Sequence, residues 1–166
     1  MKVIERGQVR AYTFKEGLLS SVAHDLELEL PDFQVRFNGG DVVATFDLTS
    51  IAVLGAMVEQ KPSPKSLNAS DRKKIEQTVH REVLKTRRHP KAELSGCVID
   101  GQLEGTLTLC GQSAPVTGPV TSVNARATGV VEIKPSMWGI KPYSALFGAL
   151  KLKDRVRIEY WMDLPL

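Results

Sequence analysis

The sequence predicts an all-β, mainly antiparallel fold of eight or so strands, with one helix inserted at about residues 70–85. Three observations carry this. Apolar and polar residues alternate with period two along most of the chain, turn-forming dipeptides punctuate that alternation, and a single stretch switches to a helical period. The longest alternating run is Leu152 to Leu164, where Leu152, Val156, Ile158, Tyr160, Met162 and Leu164 fall on one side and Lys153, Arg155, Arg157, Glu159 and Asp163 on the other. Asp154 alone breaks the apolar row. A strand of this kind has one face on an apolar interior and one in water, as antiparallel sheets allow.

The same alternation recurs from the N-terminus onward. Val9, Ala11 and Thr13 start a first strand, and Val22, His24, Leu26, Leu28 and Leu30 share a face of the second, which ends at Pro31. Phe33, Val35 and Phe37 lead into Asn38-Gly39-Gly40-Asp41, a tight-turn sequence, and Ala44, Phe46 and Leu48 bring the chain back. From Gly55 to Leu67 the pattern fails, with Pro62 and Pro64 inside it, so no strand is expected there. Ile75, Val79 and Val83 then recur every four residues, with Leu84 widening the stripe, which predicts a helix of about four turns capped by Ser70 or Asp71 and packed on the barrel wall.

After Pro90, Ala92, Leu94 and Val98 precede a turn at Asp100-Gly101, and Leu103, Leu107 and Leu109 precede a turn near Gly111-Gln112. Strands at 115–123 and 127–134 follow, then an apolar loop carrying Met137, Trp138, Tyr143 and Phe147, then the closing strand. Sheets of this number must deal with their edges, and closure into a barrel removes them. An eight-stranded barrel is either filled by its own side chains or just wide enough for one small ligand. Five Phe, three Tyr and two Trp serve the whole interior, and many inward positions are Ala, Val, Thr or Leu, so both outcomes stay open at this point.

Composition bounds the rest. The 166 residues, 42% hydrophobic and 25% charged, suit one domain spanning 1–166. A net charge of +3 with dispersed Lys and Arg is too weak a field to argue for nucleic acid. No run reaches the ~20 apolar residues of a membrane helix, and the charged start Met1-Lys2-Val3-Ile4-Glu5-Arg6 does not resemble an export signal, so a cytoplasmic protein is expected. Cys97 and Cys110 fall on the polar sides of consecutive strands, which disfavours a disulfide, and two cysteines make no four-ligand zinc site.

His24 is the sharpest single residue, because it lies on an apolar row where an unpaired imidazole is costly. It reads either as a core histidine bonded to backbone or hydroxyl, or as a polar contact for a ligand head group. Asp25 points to the opposite face and forms no dyad with it. No nucleophile elbow, phosphate-cradling glycine loop or zinc-protease helix occurs, so no catalytic residue, metal site or cofactor is expected.

Several motifs, in order, resemble the YceI-like family. Ser21-Val22-Ala23-His24 is similar to that family's first-hairpin motif, and Phe46-Asp47-Leu48-Thr49-Ser50-Ile51 to its strand ending in Ser-Ile. Lys74-Ile75-Glu76 through Val83-Leu84 resembles its helix, and His89-Pro90-Lys91-Ala92-Glu93-Leu94 the Tyr-Pro-x-Ile-x-Phe strand after it. Gly105 to Gly111 with Ala114-Pro115-Val116 resembles its Gly-x-Leu-Thr-Ile-His-Gly hairpin, and Met137-Trp138-Gly139-Ile140 its Phe-Gly-Ile loop. Two positions depart: Cys110 stands where the family usually has histidine, and His89 replaces the tyrosine before Pro90.

The resemblance implies a lipocalin-like eight-stranded antiparallel barrel around a pocket for long isoprenoid chains, in a family whose members are mostly exported. It thereby implies a lipid-binding or carrier protein rather than an enzyme, holding an apolar small molecule such as a polyprenyl lipid or quinone. Val22, His24, Leu26, Phe46, Leu48, Ile51, Trp138, Tyr143 and Phe147 are the expected lining. The alternative is a structural or interaction module with a filled barrel, acting through its outer surface or a homodimer interface.

Overall fold

The structure is a computed structural model that describes residues 1–16, 25–63, 67–145 and 150–165. The expected positions Val22, His24 and Phe147 lie outside the described residues. The fold is an antiparallel lipocalin-like barrel with one inserted helix, built from one continuous, strongly curled sheet.

The strands are β1 (Lys2–Val3), β2 (Arg6–Glu16), β3 (Asp25–Glu29), β4 (Phe33–Asn38), β5 (Asp41–Asp47), β6 (Ala52–Val58), β7 (Lys61–Ser63), β8 (Lys91–Ile99), β9 (Gln102–Leu109), β10 (Gln112–Val123), β11 (Arg126–Ile133), β12 (Ser144–Ala145) and β13 (Leu150–Asp163). They follow the order β1-β4-β5-β8-β9-β10-β11-β13-β2-β3-β6-β7, with β12 paired to β13. Among the described residues this makes 13 strands rather than the expected eight. β1 and β12 are two-residue strands, too short to show a period, and β6 with β7 forms a hairpin in the segment where no strand was expected.

That hairpin is hidden in the sequence because its turn residues, Glu59 and Gln60, take left-handed conformations at φ 50° and 64° without a glycine or asparagine. Pro62 sits in β7, at the end of the strand order, where a missing N–H costs no ladder bond on the open side. The turn Asp100-Gly101 forms where predicted, with both residues at positive φ. The next turn falls on Cys110-Gly111, one residue before its expected place. Cys110 is thereby taken off the polar side of a strand: its Sγ donates to the Leu84 carbonyl at 3.4 Å and its side chain packs on the core. Both cysteines are free thiols.

The helix α1 spans Ala69–Thr78 and continues as a wider π-helical turn over Val79–Val83. Its cap is Asn68, whose side chain accepts from the Asp71 amide at 2.8 Å, not Ser70 or Asp71. In the π turn the Leu84 amide reaches back five residues to the Val79 carbonyl, at 2.9 Å. Two polar side chains of α1 serve β6, where the register slips between Glu27 and Leu28 of β3 and their partners Gly55 and Val53. Glu76 accepts from the Val53 amide at 2.9 Å, and Arg72 donates to the Leu54 carbonyl at 3.4 Å. The helix therefore satisfies backbone groups that the bulge leaves without strand partners.

Asp154, the odd residue in the closing strand, also sits at an irregularity. Leu152 faces Lys15 and Val156 faces Thr13, so Lys153, Asp154 and Arg155 stand opposite Phe14 alone. The insertion keeps Leu152 and Val156 on the same face, and it frees Asp154 to accept from both the amide and the hydroxyl of Ser136. This pins the 3-10 turn Pro135–Trp138 to β13. The Ser136 hydroxyl first, and then its amide, hold the Asp154 carboxyl below the usual carboxylate range.

A depressed folded pKa means that Asp154 stabilises the fold above the unfolded carboxylate value of about 4 and stops doing so as pH falls through the lowered value. Asp154→Ala should lower stability by no more than about 1 kcal/mol at neutral pH, given its solvent access. Urea unfolding of wild type and variant checks this: the two midpoints should converge at acid pH, and a constant gap would contradict the assignment.

Candidate ligand-binding cavity

Because successive side chains of a strand alternate in direction, the curled sheet gathers the apolar rows of its strands on the inside. Val9, Ala11 and Thr13 of β2 lie beside Leu28 and Leu26 of β3 on one flank and beside Tyr160, Ile158 and Val156 of β13 on the other. All eight line an interior cavity of about 490 Å³. The volume falls within the range of small-molecule sites. Small inward residues, among them Ala11, Ala44, Ala92 and Ala127, leave room that larger side chains would fill.

The helical segment contributes Val79, Val83 and Leu84 to the lining, so the stripe that was expected to pack on the wall also faces the cavity. Val83 shares the face of Val79 at ordinary helical spacing, and the wider π turn brings Leu84, five residues on, round to the same side. His80 fixes the segment to the sheet. Its Nε2 lies 2.8 Å from the Ile51 carbonyl and its Nδ1 3.0 Å from the Thr86 hydroxyl. A carbonyl can only accept, so Nε2 carries the proton in this arrangement.

Of the expected lining residues, Leu26, Phe46, Leu48, Ile51 and Tyr143 border the cavity. Trp138 does not border it. It is 1% exposed, packs with Leu109, Ile133 and Ile140, and donates from Nε1 to the Leu107 carbonyl at 2.8 Å. Its role in the structure is to hold the loop after β11 against β9. The apolar character of the loop signalled burial, and nothing in that character separates a residue facing a cavity from one packed in the wall. Thr13 and Tyr160 stand on rows whose period was legible, yet neither was in the expected list.

The polar groups bordering the cavity are few. Arg155 is committed elsewhere: its guanidinium donates to Glu132 at 2.6 and 3.3 Å and lies 4.4 Å over the Phe14 ring. Lys141 and Lys153 are exposed at the rim. Among the described residues the lining is mainly apolar, and the hydroxyl-bearing Thr13, Ser122, Tyr143 and Tyr160 also border the cavity.

A YceI-like domain model matches residues 11–163, and the chain belongs to that family. Among solved structures, the chain is similar to BcnA of Burkholderia cenocepacia, with 20% identity, a TM-score of 0.61 and 94% of each chain covered. It is also similar to a polyisoprenoid binding domain from Saccharophagus degradans implicated in plant cell wall breakdown, with 11% identity, a TM-score of 0.61 and 98% of each chain covered. At these identities the likeness establishes the fold. No match is found among curated proteins.

Trp138→Phe keeps most of the ring's bulk but leaves the Leu107 carbonyl without the indole donor. It should cost roughly 1–3 kcal/mol in chemical denaturation. An unchanged midpoint would show that the indole hydrogen bond does not hold this loop.

Proposed function

We propose that this protein binds and carries an apolar, isoprenoid-type lipid, such as a polyprenyl lipid or quinone, inside its barrel. The observation that carries the reading is the cavity of about 490 Å³, lined mainly by apolar side chains. Membership of the YceI-like family and the likeness to the Saccharophagus degradans polyisoprenoid binding domain support it. A barrel filled by its own side chains and working through its outer surface would not retain such a volume. Binding energy would come from burying the ligand tail: about 300 Å² removed from water at roughly 25 cal/mol per Å² contributes on the order of 7 kcal/mol before ordering costs.

Native mass spectrometry of gently purified protein tests this, together with thermal melts after adding a short-chain quinone or prenol. A co-purified or added lipid should appear at a stoichiometry of one. Saturation at 100 times Kd should stabilise the protein by about 2.7 kcal/mol. Ala11→Phe, which places a ring in the cavity between Leu28 and Ile158, should abolish loading and leave a folded protein. A clean unliganded mass with no stabilisation by any apolar probe would sink the proposal.

A further inference from the structure

Charges that are dispersed in the sequence are sorted by the fold. Residues 69–89 hold seven Arg and Lys against three Asp and Glu, and residues 133–153 hold four lysines and no acid. The remaining chain holds eleven basic and sixteen acidic side chains, so the positive excess belongs to these two stretches. They meet at one end of the barrel, across the turn between β9 and β10. Cys110 donates to the Leu84 carbonyl at 3.4 Å, a side chain at Gly111 would meet the His89 ring, and one at Gly139 would press on the Gln112 amide. Both stretches also border the cavity, through Val83 and Leu84 on one side and Ile140 and Tyr143 on the other.

Arg81, Lys85, Arg87 and Arg88 of the first stretch are exposed, as are Lys134, Lys141, Lys151 and Lys153 of the second. Among the described residues none of them makes a salt bridge. The acids near them do not cancel this charge. Glu76 accepts from the Val53 amide, Asp154 beside Lys134 is held by Ser136, Glu16 stands opposite Lys151, and Asp71 and Glu82 are exposed on the helical segment. Apolar surface lies among the lysines: Met137 is 48% exposed and Tyr143 36%. Lys141, Tyr143 and Lys153 form part of the cavity rim.

We infer that this end of the barrel docks on an anionic bilayer surface, with the cavity rim at Lys141, Tyr143 and Lys153 turned toward the lipid. Each Lys or Arg held near such a surface adds to the attraction, and the cations need not leave water to supply it. Met137 and Tyr143 then enter the interfacial layer, whereas a nucleic acid would draw on the charges alone and leave them in water. Docking stands on these residues by themselves; passage of a lipid between bilayer and cavity rests on the carrier reading above.

The test is cosedimentation with vesicles of phosphatidylcholine alone and of phosphatidylcholine mixed with phosphatidylglycerol. Wild type should sediment with the anionic vesicles and not with the neutral ones. Raising ionic strength from about 0.01 M to about 0.1 M, which shortens the screening length from roughly 30 to 10 Å, should weaken that binding at least about tenfold. Lys141→Glu with Lys153→Glu, and separately Arg87→Glu with Arg88→Glu, should each lower the partition coefficient about tenfold or more at low salt. Lys2→Glu with Arg36→Glu makes the same change of net charge at exposed positions of β1 and β4, outside both stretches, and should cost no more than about twofold. Equal losses in all three variants, no binding to anionic vesicles, or tighter binding of a DNA duplex at matched salt would overturn the inference. Loading of a lipid by protein that never docks would overturn it and leave the carrier reading intact, while docking by protein that takes up no lipid would support it and count against that reading alone.

Discussion

The ladder between β2 and β13 is the constraint on which the rest depends. It joins the first long strand to the last, and its side chains meet across 153 residues of sequence where the Trp161 indole reaches Gln8. Without it the sheet would part into two curved pieces, each with its apolar face in water. With it, the inner rows of β2 and β13 share one register and look into one interior. The insertion opposite Phe14 preserves this, because the register shifts without turning either row to the other face. So non-local a closure carries a large loop-closure cost and places the fold among slowly folding topologies.

The outer face of the same ladder is an electrostatic clamp. Asp163 receives Arg126 at 2.7 Å and Arg6 at 3.7 Å, and Arg126 lies 4.0 Å over the Trp161 ring. Further along, Arg157 lies 5.0 Å over Tyr12, whose hydroxyl donates to the buried Glu27 at 3.0 Å. Burial first, and the Glu27 carboxylate second, push the Tyr12 hydroxyl up to about 12. Glu27 tolerates its position because Tyr12 and Arg10 both approach its carboxylate. Among the described residues the wall is thus mainly polar outside and mainly apolar inside. That division gives the interior its apolar surface.

Much of this was legible in the residues themselves, because period-two alternation is a direct consequence of strand geometry. The rows of β2, β4, β5, β8, β9, β11 and β13 stand as their alternation predicts, and Val156, Ile158, Tyr160 and Met162 face inward together. What stayed hidden followed from exceptions to local rules. The β6–β7 hairpin turns on Glu59 and Gln60, which no turn preference singles out, and the π turn over Val79–Val83 leaves no mark in the helical period. Asp154 read as a fault in a strand; its partner, Ser136, is distant in sequence and close only after folding. The site was harder than the fold, since hydropathy marks both a lining residue such as Phe46 and a packed wall residue such as Trp138. An unsatisfied hydroxyl like that of Thr13 is defined only by its surroundings.

The proposed function places an apolar ligand in the interior formed by these rows. The most direct measurement is a set of intermolecular nuclear Overhauser effects between geranylgeraniol and methyl-labelled protein. Binding inside the barrel predicts contacts from the prenyl methyls to Leu28, Leu107, Val131 and Ile158, all of which line the cavity. Contacts confined to exposed methyls such as those of Val43, Val58 and Val130, with none to these inward residues, would contradict it.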